Sequence, residues 1–273
     1  MKLLLNKFKS FLFLIKPKRI VAVSRAFNCE EWVEISIKSV IDHVDAVLIV
    51  RSDKAYLNAN IEYEDIEPII DKLKQKYGEK IVVLRKNWNN EDEQFPDLIK
   101  YVKNEMKATH FMMLDTDEVY KREDIKELIA LTKKIKTFNK ALYVDMYTYI
   151  KSIYYRVAPM EPYKPLSIFP LVDYLKVSSF RHIEGVPRFN TGIPMHHFAL
   201  VRKKDERIKA KFATRNTYTR VENWYEKFYE NFSPEIKDFH PIIGQHSQWK
   251  SIEIVKNIDL PDGVQDEFKS WIV

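Results

Sequence analysis

The acidic residues that follow one apolar segment are the part of the sequence best suited to chemistry. In THFMMLDTDEVY, residues 109–120, the apolar stretch ends at Asp115 and Asp117, one residue apart, with Glu118 next. Hard carboxylate oxygens are the ligands that Mg²⁺ and Mn²⁺ prefer, and these cations bridge to phosphate oxygens. The spacing therefore predicts a divalent-metal site. The alternative is that one aspartate caps the following helix and the others lie in a solvated turn.

Predicted strands and helices alternate along the chain on either side of this motif, and they determine where its carboxylates lie. Apolar segments at 20–24, 46–50, 81–84 and 110–114 predict four strands, and apolar residues at helical spacing predict a helix after each, the last over 123–136. This alternation predicts an α/β domain with a mostly parallel sheet flanked by helices. Ligands bind at the carboxyl ends of the strands of such a sheet, which is where Asp115 and Asp117 emerge.

The second half of the chain has a different pattern. Alternating residues at 142–149 predict a half-buried strand, prolines punctuate a loop from Pro159 to Pro170, and His197 to Arg202 predicts another strand. Aromatic residues between 221 and 232 recur at helical spacing. Such a stripe is typical of core packing, with stacking on sugar rings as the alternative.

Composition excludes several classes of protein. The 273 residues carry a net charge of +6, far below that of a protein that coats nucleic acid. The five glycines have neither the GxGxxG nor the GxxxxGK spacing, which excludes classical dinucleotide and P-loop sites. Cys29 is the single cysteine, so the chain forms no internal disulfide, and a reducing compartment such as the cytoplasm fits best. A bound diphosphate would therefore be held by a metal and basic side chains.

The first 16 residues, MKLLLNKFKSFLFLIK, have two interpretations. Their longest apolar run, Phe11 to Ile15, is too short to span a membrane, and no cleavage site of a signal peptide follows. The segment is either an arm that packs on the domain or a basic, aromatic segment that lies peripherally on the inner, anionic membrane face.

Three segments resemble the GT-A fold glycosyltransferases of the family 2 type. Residues 21–50, VAVSRAFNCEEWVEISIKSVIDHVDAVLIV, resemble that family's first strand, acidic turn, helix and second strand. LDTDE at 114–118 resembles its DxD motif, and HFALVRKKDERIKAK at 197–211 resembles its histidine-containing strand with the basic residues that follow. The resemblance implies a Rossmann-like GT-A domain. Residues 18–140 would be its nucleotide-sugar-binding part, and 141–273 its irregular acceptor side with C-terminal helices, after a basic and apolar arm at 1–17.

The resemblance also implies an activity and its cofactor. A metal-dependent, inverting transferase would move a sugar from a nucleotide-sugar donor, a UDP-sugar first of all, to a hydroxyl of a glycan or a lipid-linked acceptor. Nucleic acid is not an expected partner. Mn²⁺ or Mg²⁺ would be held by Asp115, Asp117 and His197. The family pattern selects His197 over His196, since neighbours on a strand point to opposite faces.

Further site residues are predicted from their chemistry and their positions near the motif. The candidates for binding the nucleotide sugar are Ser24, Arg25, Asp53, Asp115, Arg181, Arg202 and Lys209. The family commonly ends its second strand with an aspartate that contacts the base. This chain has Arg51-Ser52-Asp53 at the end of its second strand. Either Asp53 or Ser52 therefore replaces the family's aspartate, or the base is held differently. The predicted general base is Glu184, in RHIEGVPRF, with Asp173 and Glu161 as rivals.

Two other functions compete with a glycosyltransferase. A sugar nucleotidyltransferase shares the architecture and the metal, but it usually has a glycine-rich loop after the first strand, and SRAFNCEE has no glycine. A catalytically weak GT-A-like module that binds a glycan or a partner is the other alternative. The intact Asp115 and Asp117 argue against it.

Overall fold

The computed structural model describes residues 17–27, 30–56, 65–213, 221–245 and 248–268. Four parallel strands lie side by side in the order β3-β2-β1-β4. They are β1 (Ile20–Ala26), β2 (Ala46–Arg51), β3 (Ile81–Arg85) and β4 (His110–Asp115). Nearly all residues of β1, β2 and β4 are buried, as expected of parallel strands covered on both faces. The predicted α/β class is confirmed.

Four helices accompany these strands. They are α1 (Glu30–Val40), α2 (Glu67–Tyr77), α3 (Glu91–Asn104) and α4 (Arg122–Leu131). Helix α2 is followed by Gly78 at φ 57°, a left-handed conformation that glycine adopts without strain. Helix α3 begins after Asn90, whose side chain accepts the N–H of Glu93, so Pro96 lies inside the helix and not in its first turn.

The last of these helices is shorter than predicted. Helix α4 ends at Leu131 instead of continuing to Lys136. The hydroxyl groups of Thr132 and Thr137 donate to the carbonyls of Ile129 and Leu131, at 2.7 and 2.5 Å. Such side-chain bonds satisfy the terminal carbonyls and favour a turn over a further helical turn.

The remaining strands make the sheet mixed. They are β5 (Glu118–Val119), β6 (Ala141–Ile150), β7 (Tyr155–Ala158), β8 (Leu166–Pro170), β9 (Lys176–Ser179), β10 (His182–Glu184), β11 (Arg188–Leu200) and β12 (Ser251–Ile254). The sheet runs β12-β7-β6-β8-β4-β1-β2-β3, with β8 antiparallel to β4. Strand β11 pairs with β6 in parallel and with β5 antiparallel. Strands β9 and β10 form a separate hairpin.

Two predictions for the second half need correction. The strand predicted over 197–202 is the end of the longer β11, and Arg202 lies beyond it. The aromatic stripe forms a turn of π-helix at Tyr225–Glu230 instead of a regular helix. Trp224, Tyr225 and Tyr229 are buried in one apolar cluster, so the stripe belongs to the core. Two further helices are α5 (Asp205–Ala213) and α6 (Val264–Phe268).

The core lies on both faces of the sheet. Alternate residues of β1 enter different apolar clusters. Ile20 and Ala22 pack with α1 and α2, and Val21 and Val23 pack with α3. None of the described helices is long and apolar enough to cross a membrane. The predicted arm at residues 1–16 and Cys29 lie outside the described residues.

Candidate active site

The turn that carries the acidic motif is fixed by hydrogen bonds to helix α1, to strand β11 and within the turn itself. Asp115 ends β4, Asp117 lies in the turn, and Glu118 begins β5. The Ser36 hydroxyl of α1 donates to the Glu118 carbonyl at 2.8 Å, and the Phe198 N–H of β11 donates to the Asp117 carbonyl at 2.8 Å. The Asp115 N–H donates to a Glu118 side-chain oxygen at 3.1 Å. The turn is thereby held between helix α1 and strand β11 at the carboxyl edge of the parallel strands.

Asp115 is bound by two arginines. Arg25 pairs with Asp115 in the register of β1 and β4, and its Nε and Nη2 donate to Oδ1 at 2.8 and 2.6 Å. Arg181 Nη2 donates to Oδ2 at 3.1 Å. Burial raises the pKa of Asp115, but the two guanidinium groups outweigh it and hold the pKa below its usual range. Asp115 is therefore an ionised anchor for two cations.

Arg181 reaches the site from the tip of the β9–β10 hairpin. It has φ 57° and is buried, and its Nη2 also donates to Glu118 Oε1 at 2.5 Å. The ring of Phe180 lies 4.1 Å from the Arg25 guanidinium, and the Phe180 N–H donates to Asp92 Oδ1 of α3 at 2.8 Å. Burial, reinforced by the charge of Asp115, raises the pKa of Glu118 to about 7. The hairpin tip thus places a cation between two carboxylates.

Asp117 faces a histidine as well as an arginine. Its Oδ2 accepts Nη2 of the buried Arg202 at 2.7 Å, and its Oδ1 lies 3.6 Å from His197 Nε2. His196, the neighbour in β11, is buried with its Nδ1 2.8 Å from the Tyr149 hydroxyl, and burial lowers its pKa to about 3. The structure therefore places His197 towards Asp117 and His196 in the core, in the predicted register.

Asp117 and His197 are suitable donor types for a divalent cation, and Asp115 does not fit as a direct ligand. Octahedral bonds of about 2.1 Å put neighbouring ligand atoms about 3.0 Å apart and opposite ones about 4.2 Å apart. The 3.6 Å between Asp117 Oδ1 and His197 Nε2 exceeds the spacing of neighbouring ligands by about 0.6 Å, so the two side chains would move slightly closer to bind one cation. Both Asp115 oxygens bind guanidinium groups. Within the described ranges, no group of three His, Cys, Asp or Glu side chains could hold a metal, so substrate oxygens and water would complete the shell.

Each arginine of this cluster is paired with a carboxylate. Three guanidinium groups, those of Arg25, Arg181 and Arg202, meet three carboxylates, those of Asp115, Asp117 and Glu118. Glu91 also pairs with Arg25 at 3.1 Å, so the cluster has no excess of positive charge that would attract a polyanion by net charge alone. A diphosphate that arrives together with a divalent cation adds little net charge. The electrostatics therefore suit a metal–diphosphate pair better than a bare diphosphate.

Three predicted nucleotide-binding residues lie outside the cluster. Asp53 is exposed in the turn after β2, at the same edge of the sheet, and its N–H donates to Asn87 Oδ1 at 2.9 Å. Ser24 is fully buried within β1, so the prediction that it contacts a ligand is wrong for this conformation. Lys209 is exposed on α5, with Nζ 4.5 Å from the Tyr225 ring, and it lies apart from the acidic turn.

The two preferred general bases also lie elsewhere. Asp173 follows β8, which is antiparallel to β4, so it lies at the His110 end of β4 and not at the Asp115 end. It is exposed and pairs with Lys103 at 2.9 Å. Glu184 is exposed on β10 opposite Lys176, about 10 Å along the strand from Arg181. The structure brings neither carboxylate into the cluster, and the Asp173 prediction is contradicted by the strand direction.

Two members of the cluster were not predicted from the sequence. Glu118 had a signal, since it directly follows the two aspartates. Phe180 had none, because only the folded hairpin brings its ring to Arg25. Glu161, the third suggested base, is buried and accepts a hydrogen bond from the Thr148 hydroxyl.

Comparison with known proteins shows likeness at the level of structure. No protein-family model and no curated protein matches the chain. S. aureus TarS 1–349 matches at 11% identity over 66% of this chain and 60% of that one, with a TM-score of 0.45. The same fragment in complex with UDP-GlcNAc matches at 12% identity over 76% and 64%, with a TM-score of 0.45. The inositol-1-phosphate CTP transferase from T. maritima matches at 10% identity over 72% and 97%, with a TM-score of 0.40. The chain thus spans less than two thirds of the TarS fragment, and what it shares with these structures is the α/β chain trace.

Proposed function

We propose that the chain is a metal-dependent, inverting glycosyltransferase. It takes a sugar from a nucleotide sugar, a UDP-sugar in the first place, and transfers it to a hydroxyl of a glycan or a lipid-linked acceptor. The observation that carries the proposal is the pair of Asp117 Oδ1 and His197 Nε2, 3.6 Å apart beside three arginines at the carboxyl edge of the parallel strands. Ligands of α/β sheets bind at this edge.

The residues of the cluster have different roles in this proposal. Asp117 and His197 would hold Mn²⁺ or Mg²⁺, and the bound cation supplies Lewis-acid stabilisation of the leaving diphosphate. Arg25 and Arg181 donate charge-assisted hydrogen bonds to phosphate oxygens. Asp115 orients both guanidinium groups, since each of its oxygens binds one of them. Arg202 fixes Asp117 through Oδ2, so that Oδ1 points towards His197.

A thermal-shift panel tests the nucleotide and the metal together. UDP, GDP, ADP and CDP are each added with and without Mn²⁺ to the full chain. A ligand at one hundred times its Kd stabilises the fold by about 2.7 kcal/mol. At about 2 °C per kcal/mol for a chain of this size, the Tm should rise by about 5 °C with UDP and Mn²⁺ together. No shift with any nucleotide and cation would refute the proposal.

A second measurement separates transfer from the competing activities. UDP-sugars are incubated with the chain and Mn²⁺, and slow release of free sugar to water is measured. Release only in the presence of the cation supports a transferase. Formation of a nucleotide sugar from a nucleoside triphosphate and a sugar phosphate would identify a nucleotidyltransferase instead. Nucleotide binding without any release would favour a binding module.

A further inference from the structure

The loop between β7 and β8, residues 159–165, borders the candidate site on one side. Tyr163 in this loop is 48% exposed, although it is a large aromatic residue. Strand β8 runs antiparallel to β4 with Ile168 opposite Met112, so the loop that precedes β8 lies at the Asp115 end of β4. The loop therefore presents an accessible ring next to the charged cluster. Tyrosine rings of this kind form stacking surfaces for the apolar faces of sugars.

A second contact ties the same loop to the other side of the site. The Glu161 carboxylate accepts a hydrogen bond from the Thr148 hydroxyl of β6. Thr148 pairs in register with His197 of β11, so their Cα atoms lie about 4.8 Å apart and their side chains share a face of the sheet. Glu161 therefore bonds to the residue of β6 that pairs with His197, and His197 faces Asp117 at 3.6 Å.

Glu161 differs electrostatically from the carboxylates of the acidic turn. Asp115 binds two guanidinium groups, which hold its pKa below the usual range and weaken it as a proton acceptor. Asp117 is paired with Arg202, and both oxygens of the buried Glu118 carboxylate are already bonded, one to Arg181 and the other to the Asp115 N–H. Glu161 is 8% exposed, and it forms no ion pair within the part of the chain that is described. Burial raises the pKa of Glu161, and the opposing interactions with Thr148 and Trp249 do not reverse the shift.

We infer that Glu161 is the general base for the acceptor, with the Tyr163 ring as the surface on which the acceptor sugar lies. This inference rests on the proposed function. In the step, the acceptor O–H bond breaks and its proton goes to the Glu161 carboxylate. The acceptor oxygen forms a bond to the anomeric carbon, while the bond from that carbon to the diphosphate oxygen breaks. The electron pair of the broken bond leaves with the diphosphate.

The variant Glu161→Gln removes the base at nearly unchanged shape and keeps an oxygen for the Thr148 hydroxyl. General acid–base catalysis contributes about 10²–10⁴ in rate, so release of sugar from the UDP-sugar, with water as the acceptor, should fall at least about 100-fold. The thermal shift with UDP and Mn²⁺ should stay as in the unaltered chain. The matched control is Glu184→Gln, which alters an exposed carboxylate on strand β10. This variant should leave both readouts unchanged.

Each outcome distinguishes the inference from the proposed function. If Glu161→Gln keeps both the thermal shift and the turnover, the inference is overturned and the proposed function stands. Absence of the shift in the unaltered chain overturns the proposed function itself. Should Glu161→Gln not fold, Glu161→Asp retains the charge but withdraws the carboxylate by one methylene. That variant should bind UDP with Mn²⁺ normally and release sugar at least about 10-fold more slowly, and unchanged release would overturn the inference.

Discussion

The substitution Asp117→Asn perturbs two roles that the structure joins in one side chain. Asp117 Oδ1 faces His197 at the proposed cation site, and Oδ2 neutralises Arg202 at 2.7 Å. An amide keeps the shape of the side chain but loses its charge. The variant should therefore lose metal-dependent nucleotide binding and, separately, lower the stability of the unliganded fold.

The loss of stability can be estimated from the burial of the ion pair. The side chains of Arg202 and Asp117 are 3% and 9% exposed. Opposite charges about 4 Å apart attract by about 4 kcal/mol at an effective dielectric constant of about 20. Part of this loss is offset, because Asn still accepts from Nη2 and Arg202 keeps its bonds to the Phe198 and Val201 carbonyls. A net loss of about 1–3 kcal/mol remains, which lowers the Tm by about 2–6 °C.

Thermal melting measures both effects in one experiment. The unliganded Tm of the variant reports the lost ion pair, and the further rise with UDP and Mn²⁺ reports binding. A 100-fold weaker Kd reduces a shift of about 5 °C to below about 1 °C. The matched control is Asp173→Asn, which alters a carboxylate that is 73% exposed at the opposite edge of the sheet and should change neither value.

Two results would refute this reasoning. An undiminished shift with UDP and Mn²⁺ would remove Asp117 from the proposed cation site. An unchanged unliganded Tm would mean that the buried pair with Arg202 contributes no net stability. Because the two readouts are independent, one part of the argument can fail while the other holds.

His197→Ala should weaken Mn²⁺-dependent UDP affinity by roughly 1–3 kcal/mol in calorimetric titration, whereas His196→Ala should mainly lower the Tm, because His196 is buried against Tyr149. The reverse ranking would show that His196 faces the ligand. Burial lowers the pKa of His110 to about 4, so the unfolded chain binds a proton at a higher pH than the folded chain. The free energy of unfolding should therefore fall by up to about 3 kcal/mol as the pH drops from about 6.5 to about 4. In urea unfolding, His110→Gln should flatten this dependence, and an equally steep dependence in the variant would contradict the assignment.

The parallel half of the sheet was predictable because its signals are local. Segments such as 46–50 are apolar without interruption, and each is followed by apolar residues at helical spacing. The place of Asp115 at the carboxyl end of β4 follows directly, since the strand ends where the carboxylates begin. His197 faces Asp117 while His196 faces the core, as expected because neighbours on a strand alternate between faces; the role of His197 as a metal ligand stays a prediction.

The prediction of Asp173 as general base failed because it depends on strand direction. Asp173 lies at the wrong end of the sheet because β8 runs antiparallel to β4 and is inserted between β4 and β6. No local pattern in a strand reveals its direction. Glu184 was chosen from a loop-like segment between arginines, but that segment folds as the second strand of a hairpin. The hairpin tip, which carries Arg181, enters the site, and Glu184 lies farther along the strand.

The pairing of charges explains why the separate roles of Asp115 and Asp117 could not be assigned from the acidic motif alone. The three arginines that bind its carboxylates come from the end of β1, the tip of the β9–β10 hairpin and the residue after Val201. No short window of sequence contains more than one of them. Arg25 and Arg181 occupy both oxygens of Asp115, so that carboxylate anchors cations. Arg202 binds one oxygen of Asp117 and leaves the other directed at His197. Two aspartates that look equivalent in the sequence therefore differ in their surroundings, because both oxygens of Asp115 bind guanidinium groups and one oxygen of Asp117 faces the His197 ring.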